Sequence, residues 1–219
     1  MLDKITVAHL IDHALLAPDL TDQQLHSGLT LARQAGCCTA CVHAADAATA
    51  SRVLAGSKTG VCAVVGFPLG RQSTRLKTLE AAEAFQNGAT ELDMVLHLGY
   101  LKSGRFQALQ EDIQAVAEAT PAPLKVILET GYLTAAEITA ACQTAIAAGA
   151  KFVKTSTGFG PGGAAVADIK LMRKTVGENC GVKAAGGIAT LKDLLQMVQA
   201  GANRIGTSKT AMILKELQF

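Results

Sequence analysis

Eight short apolar runs, each followed by a longer amphipathic stretch, constrain this chain more than any other feature of its sequence. The runs are HLIDH (9–13), TACVHA (39–44), VCAVVGF (61–67), ELDMVLH (91–97), LKVILET (124–130), KFVKTST (151–157), GVKAAGG (181–187) and NRIGTS (203–208). Several are rich in Val and Ile, as parallel strands buried on both faces are. Between them, 74–89, 136–150 and 191–202 carry apolar residues at helical spacing and end in Ala-Gly-Ala, Gly-Ala or a glycine, the usual helix stop. Each run starts about 22–33 residues after the one before, the length of one βα unit. Eight such units predict an α/β fold of the (β/α)8 TIM-barrel type, one compact domain over residues 1–219. An open doubly wound sheet is the rival. No G-x-G-x-x-G follows the first run, which weakens its dinucleotide-binding version.

Composition narrows the function classes. Apolar residues are 49% and charged residues 17% of the chain, which argues for a large core and against disorder. Tryptophan is absent and aromatics are 4%, too few for base-stacking platforms. The net charge is +2 with no basic block, so no nucleic acid or membrane partner is expected. No apolar run reaches about 18 residues, and MLDKITVAHLIDH lacks the pattern of a signal peptide. A soluble cytoplasmic protein is expected, with its six cysteines (Cys37, Cys38, Cys41, Cys62, Cys142, Cys180) as thiols. Cys38 and Cys41 form a C-x-x-C near His43, but residues three apart on a strand face opposite ways, which argues against a metal or redox site.

Strand alternation then sorts side chains between helix layer and lumen. Leu92, Met94, Leu96, Val126, Leu128, Val153 and Val182 suit the helix side. Glu91, Asp93, Val95, His97, Lys125, Ile127, Glu129, Phe152, Lys154, Ser156, Lys183 and Ala185 then face the lumen. Buried charges are costly unless paired. Lys125 and Glu91 read as a structural ion pair low in the barrel. Asp93, Lys154 and Lys183 lie toward the C-terminal strand ends, where barrel active sites sit.

Two lysines and an aspartate suit Schiff-base chemistry. A lysine attacks a carbonyl only as the free amine, and its ordinary pKa is about 10.4. Neutrality near pH 7.5 requires the ammonium to be destabilised by roughly 4 kcal/mol. A second ammonium about 4 Å away supplies that at an effective dielectric of 20. Lys154 and Lys183 sit on neighbouring strands, so one is the nucleophile and the other its cationic neighbour. Asp93 is placed to move protons. The imine is the electron sink, so neither metal nor cofactor is required.

The last three runs lead into TSTGFGPGG (155–163), AAGGIAT (184–190) and IGTSKT (205–210). The late loops of a barrel form a recurring phosphate site, and Gly186 and Gly187 let backbone N–H groups approach an anion closely. A small phosphorylated sugar is the expected substrate. A pyridoxal-phosphate barrel or a non-catalytic phosphometabolite-binding barrel would use similar parts. His13 reads as a structural hydrogen-bonding residue, His9 and His26 as surface residues, and His43 as bordering the pocket.

LIDHALL, VVGFPLG, ELDMVLHLGYLKSG, KFVKTSTGFG and GVKAAGGI, in this order, resemble the class I deoxyribose-phosphate aldolases of bacteria, from about residue 8 to about residue 209. The resemblance implies reversible cleavage of 2-deoxy-D-ribose 5-phosphate to D-glyceraldehyde 3-phosphate and acetaldehyde, by a homo-oligomer (dimer or tetramer). It implies Lys154 as the Schiff-base lysine, Asp93 as proton donor and acceptor, and Lys183 as the partner lysine. Asp12 and Cys41 would lie at the substrate, and Thr157, Gly158, Gly186, Gly187, Gly206 and Ser208 at its phosphate side. Another phosphosugar Schiff-base aldolase is the near alternative. The chain departs from the family pattern at Ala14, at His43-Ala44, at His97 and at Thr207-Ser208-Lys209, where Thr, Asn-Pro, Asn and Ala-Ser-Ser are usual.

Overall fold

A computed structural model describes residues 3–217, leaving out Met1, Leu2, Gln218 and Phe219. Eight parallel strands close into a barrel in chain order: β1 (Ile11–Leu15), β2 (Thr39–Val42), β3 (Gly60–Val65), β4 (Glu91–Val95), β5 (Leu124–Ile127), β6 (Phe152–Lys154), β7 (Gly181–Ala185) and β8 (Arg204–Thr207). β8 pairs back onto β1 through Ile11 with Ile205 and Asp12 with Gly206. The helices are α1 (Lys4–His9), α2 (Asp22–Ala35), α3 (Ala47–Leu54), α4 (Thr74–Gln86), α5 (Leu98–Lys102), α6 (Phe106–Glu118), α7 (Ala135–Ala147), α8 (Val166–Val176), α9 (Leu191–Gln199) and α10 (Thr210–Lys215). The sheet is thus the expected TIM barrel and not the open rival.

Local signals account for where the elements stop. Thr21 with Gln24, Thr134 with Glu137 and Thr190 with Asp193 form reciprocal capping boxes at the starts of α2, α7 and α9. The first strand begins two residues later than the apolar run at 9–13. Asp3 caps α1 by accepting the Thr6 N–H at 2.7 Å, and that helix takes up His9. The run at 151–157 yields only a three-residue strand, yet Thr155, Ser156 and Thr157 stay buried, because they continue into the loops at the barrel mouth.

Alternation along the strands divides two interiors. Leu92, Met94, Leu96, Val126, Leu128, Val153 and Val182 all pack in the core between sheet and helices. Their neighbours on the strands point into the lumen, but His97, expected there as well, lies past the end of β4, where its Nδ1 accepts the Tyr100 N–H at 3.2 Å and caps α5. The lumen is itself divided. On the β1–β3 side a small apolar cluster of Leu16, Cys41, Cys62 and Val64 is joined by Ala14 and Phe67. The charges come from Asp12 on β1 and from β4 to β8.

Candidate active site

Asp93 is the hub of the lumen. It stands in the middle of β4, in register with Lys125 on β5. Lys154 on β6 is in register with Lys183 on β7, so both ammoniums reach the same carboxylate. Asp93 Oδ2 accepts from Lys154 Nζ and Lys183 Nζ, each at 2.7 Å, and Oδ1 accepts from Lys125 Nζ at 2.8 Å. Lys183 Nζ also lies 2.5 Å from Asp12 Oδ2, an ion contact without an aligned hydrogen bond. Arg204 Nη1 donates to Asp12 Oδ1 at 2.7 Å and to Glu91 Oε2 at 3.0 Å, and Nη2 donates to Glu91 Oε1 at 3.2 Å. Lys125 Nζ closes the ring on Glu91 Oε2 at 2.7 Å.

Sequence reasoning isolated Lys125 and Glu91 as a separate structural pair. The pair forms, but it is not separate. Glu91 and Asp93 are two residues apart on one strand face, so a lysine in register with Asp93 bridges both. Arg204 was missed. The same alternation finds it, since Arg204 shares the lumen face of β8 with Gly206. Cys62 was missed as well; it is in register with Cys41 and donates to Asp93 Oδ1 at 3.1 Å.

The charges depend on one another. Burial alone would push Asp93 up, but Lys125, Lys154 and Lys183 hold it well below the ordinary carboxylate range. Asp12 is likewise opposed by burial, yet Lys183, Lys125 and Arg204 hold it at about 2. Burial works against the Lys183 ammonium, and Asp12 and Asp93 more than reverse that, so Lys183 titrates above its ordinary value. Burial works against the Lys125 ammonium too, and Asp93, Cys62, Asp12 and Glu91 hold it well above the ordinary lysine value. Cys41, Cys62 and Asp93 converge closely enough to present three ligand atoms to a metal ion. The surroundings disfavour a cation, since Lys125 Nζ lies 3.3 Å from Cys62 Sγ and all three ammoniums already occupy Asp93. Cys38 of the C-x-x-C stands before β2, only partly buried, while Cys41 lies in the lumen; both are free thiols.

Above this floor opens a cavity of about 540 Å³ at the C-terminal end of the strands. Asp12, Cys41, Lys154, Thr157, Gly158, Lys183, Gly186, Gly187, Gly206 and Ser208 line it, whereas Asp93 lies buried beneath. Gly186 and Gly187 have φ of 92° and 77°, conformations that side chains rarely adopt. A Cβ on Gly206 would stand 2.9 Å from the Ala185 Cβ and 3.2 Å from the Lys183 Cε, so only glycine leaves that lysine its room. Glu129 shapes the loop after β6: it accepts the Thr157 N–H through both oxygens at 3.2 Å and the Thr157 hydroxyl as well. Thr157 Oγ1 in turn accepts the Phe159 N–H at 3.0 Å. Phe159 meets Phe67 edge-on at 5.4 Å over the apolar side, and Phe67 meets His43 at 5.8 Å. His13 is a structural partner, its Nδ1 2.8 Å from Thr210 Oγ1.

Fold and lumen together define a (β/α)8 barrel with an amine–carboxylate floor, one apolar wall and a glycine-lined rim. The sequence profile of the DeoC/LacD family of aldolases matches residues 6–214. The chain belongs to that family, and is a carbon–carbon lyase of the aldolase kind. It is 46% identical over 216 residues to a deoxyribose-phosphate aldolase of Thermoanaerobacter sp. (strain X514), covering 97% of each chain. It is 50% identical over 206 residues to one from Streptococcus pneumoniae serotype 19F, covering 94% of each. Among solved structures, a tetrameric deoxyribose phosphate aldolase of Aeropyrum pernix superposes with a TM-score of 0.89 at 30% identity, covering 99% of this chain and 92% of that one.

Proposed function

We propose that the chain reversibly cleaves 2-deoxy-D-ribose 5-phosphate to D-glyceraldehyde 3-phosphate and acetaldehyde through a Schiff base on Lys154. One observation carries the choice of nucleophile. Four cationic side chains, Lys125, Lys154, Lys183 and Arg204, share three carboxylates, Asp12, Glu91 and Asp93. Lys125, Lys183 and Arg204 each touch at least two of them, and Lys154 touches Asp93 alone. The cluster holds one positive charge more than it can pair, and Lys154 is the ammonium it holds least. Lys154 also lines the cavity, where a carbonyl can reach it.

In this scheme the Lys154 amine attacks C1 of the open-chain sugar, and the carbinolamine loses water to give the iminium. Loss of the C3 hydroxyl proton breaks C2–C3 and sends the electron pair into the iminium. D-Glyceraldehyde 3-phosphate departs and an enamine remains. Protonation at C2 and hydrolysis then release acetaldehyde and the lysine. Asp93 relays these protons directly or through a water. It becomes a better proton acceptor once Lys154 is neutral, because one of its three cations has gone. Lys183, tied to Asp12 and Asp93, stays charged beside it. The apolar wall of Leu16 and Cys41 suits a two-carbon fragment without polar groups, and Asp12 lies toward the sugar hydroxyls. Thr157, Gly158, Gly186, Gly187, Gly206 and Ser208 form the phosphate side. The imine is the electron sink, so the scheme uses no metal or cofactor.

Relatives that are deoxyribose-phosphate aldolases support the substrate, and the tetrameric Aeropyrum pernix relative supports a dimer or tetramer, which sedimentation would measure. A cytoplasmic location belongs to the same reading. The mechanism is tested by borohydride reduction in the presence of acetaldehyde, followed by peptide mapping. A two-carbon adduct on Lys154, with activity that survives chelation, is expected; an adduct on Lys125 or Lys183 would reject the assignment. Cleavage of fructose phosphates in preference to deoxyribose 5-phosphate would replace the substrate.

A further inference from the structure

Three lysines line the cavity, and two of them are spoken for. Lys154 and Lys183 are anchored on Asp93 at the floor. The third, Lys209, is exposed and follows Gly206, Thr207 and Ser208 in a lining that also includes Gly186 and Gly187. Among the described residues its ammonium joins no ion pair. It does not cap the helix it precedes, since no side-chain bond closes that end of α10.

The backbone of Lys209 is nonetheless fixed. Its N–H donates to Thr207 Oγ1 at 2.9 Å, and Thr207 Oγ1 donates to the Ile188 carbonyl at 2.7 Å. One buried hydroxyl therefore clamps the loop after β8 to the loop after β7, and Lys209 leaves the clamp with only its side chain free. The lining carries one acidic residue, Asp12, and that is held at the floor by Lys183 and Arg204. An anion at the rim thus meets peptide dipoles from the glycine loops and a single uncommitted full charge. A phosphate monoester carries between one and two negative charges near neutral pH. Backbone N–H groups orient such a group, but they add no net charge to balance it.

We propose that Lys209 is a specificity-determining residue: its ammonium pairs with the substrate's terminal phosphate and sets the preference for phosphorylated over unphosphorylated sugar. The inference rests on the aldolase reading above, and the experiment keeps the two apart. The full chain and its Lys209→Ala, Lys209→Arg and Lys209→Glu variants are assayed on 2-deoxyribose 5-phosphate and on 2-deoxyribose. Borohydride trapping of acetaldehyde, which has no phosphate, runs in parallel.

In Lys209→Ala the ratio of kcat/KM for the phosphorylated to the plain sugar should fall about ten-fold, as for loss of one charge-assisted contact. The change should lie in KM, and added salt should weaken the wild type more than the variant. Lys209→Arg should retain most of the ratio, and Lys209→Glu should lose more than Lys209→Ala. An unchanged ratio in Lys209→Ala and Lys209→Glu, or an equal loss on both sugars, would overturn the proposal while leaving the aldolase reading intact. Failure of the wild type to trap acetaldehyde or cleave either sugar would overturn that reading, and the inference with it.

Discussion

Neutralising Asp93 and removing Lys154 should have opposite consequences for stability, although the two side chains are hydrogen-bonded. Asp93→Asn leaves three buried ammoniums around a neutral amide. Breaking a buried pair in this way costs about 3–5 kcal/mol, which a urea unfolding midpoint would register. Lys154→Leu removes the surplus cation and leaves three cations on three carboxylates, so its midpoint should match or exceed that of the wild type. Its cleavage rate should nevertheless fall by more than about a thousand-fold, as for loss of a nucleophile. A strongly destabilised Lys154→Leu would show that the charge surplus sits elsewhere. Alternation alone placed Asp93, Lys154 and Lys183 in the lumen, because each is a charge between apolar neighbours on a strand. It did not show that Lys125 shares Asp93, since that follows from the register between β4 and β5. Cys62 was hidden because a thiol inside an apolar run carries no polar signal.

The loops after the strands decide what the cavity can hold, and their geometry rests on a few bonds. Glu129, two residues past the end of β5, adopts a left-handed conformation with φ of 56°, unfavourable for a side-chain-bearing residue. Burial raises its carboxyl above the ordinary range, although the bonds from Thr157 and the charge of Lys154 oppose that. Such a position persists only if the surroundings hold it, and here Thr157 does so. Glu129→Ala should release the loop carrying Thr157, Gly158 and Phe159. The expected outcome is a several-fold rise in KM for deoxyribose 5-phosphate, with acetaldehyde trapping on Lys154 retained. Thr157→Val should act through the same contact, so the double variant should resemble either single one. Additive losses would mean that the two residues act separately. Helix ends were read from their glycines, and the starts of α2, α7 and α9 rest on equally local Thr-x-x-Gln, Thr-x-x-Glu and Thr-x-x-Asp spacings that the structure brought out. The Glu129–Thr157 contact was not readable, because it joins loops from different βα units.

At the scale of the whole molecule, barrel closure makes stability depend on pH through groups far from one another in sequence. His13 on β1 is buried against Thr210 on α10, and burial lowers its pKa to about 4 from an ordinary 6.5. The unfolded chain therefore binds a proton that the folded chain refuses between those values. The stabilisation is fully present above pH 6.5 and lost as pH falls toward 4, by about 3 kcal/mol. Asp12, depressed to about 2 from 3.8, adds stability above pH 3.8 that is lost as pH falls through 2. Urea midpoints should thus decline in two stages, and His13→Asn should flatten the first. A first stage that persists in His13→Asn would assign it to another group. Among the described residues no helix is long and apolar enough to cross a membrane.

Local chemistry determined the number and order of βα units, the helix caps and the lumen faces of β4 to β7. These follow from periodicity and capping spacing, which act over a few residues and can be read from them. Closure of the barrel decided the rest. β8 must return to β1 before Arg204 can meet Asp12 and Glu91, and β6 must align with β7 before two ammoniums can share one carboxylate. The charge surplus that singles out Lys154 exists only when residues from β1, β4, β5, β6, β7 and β8 occupy one small volume of low dielectric. Electrostatic energy there depends on distances of a few ångströms between strands, and spacing along the chain does not contain them.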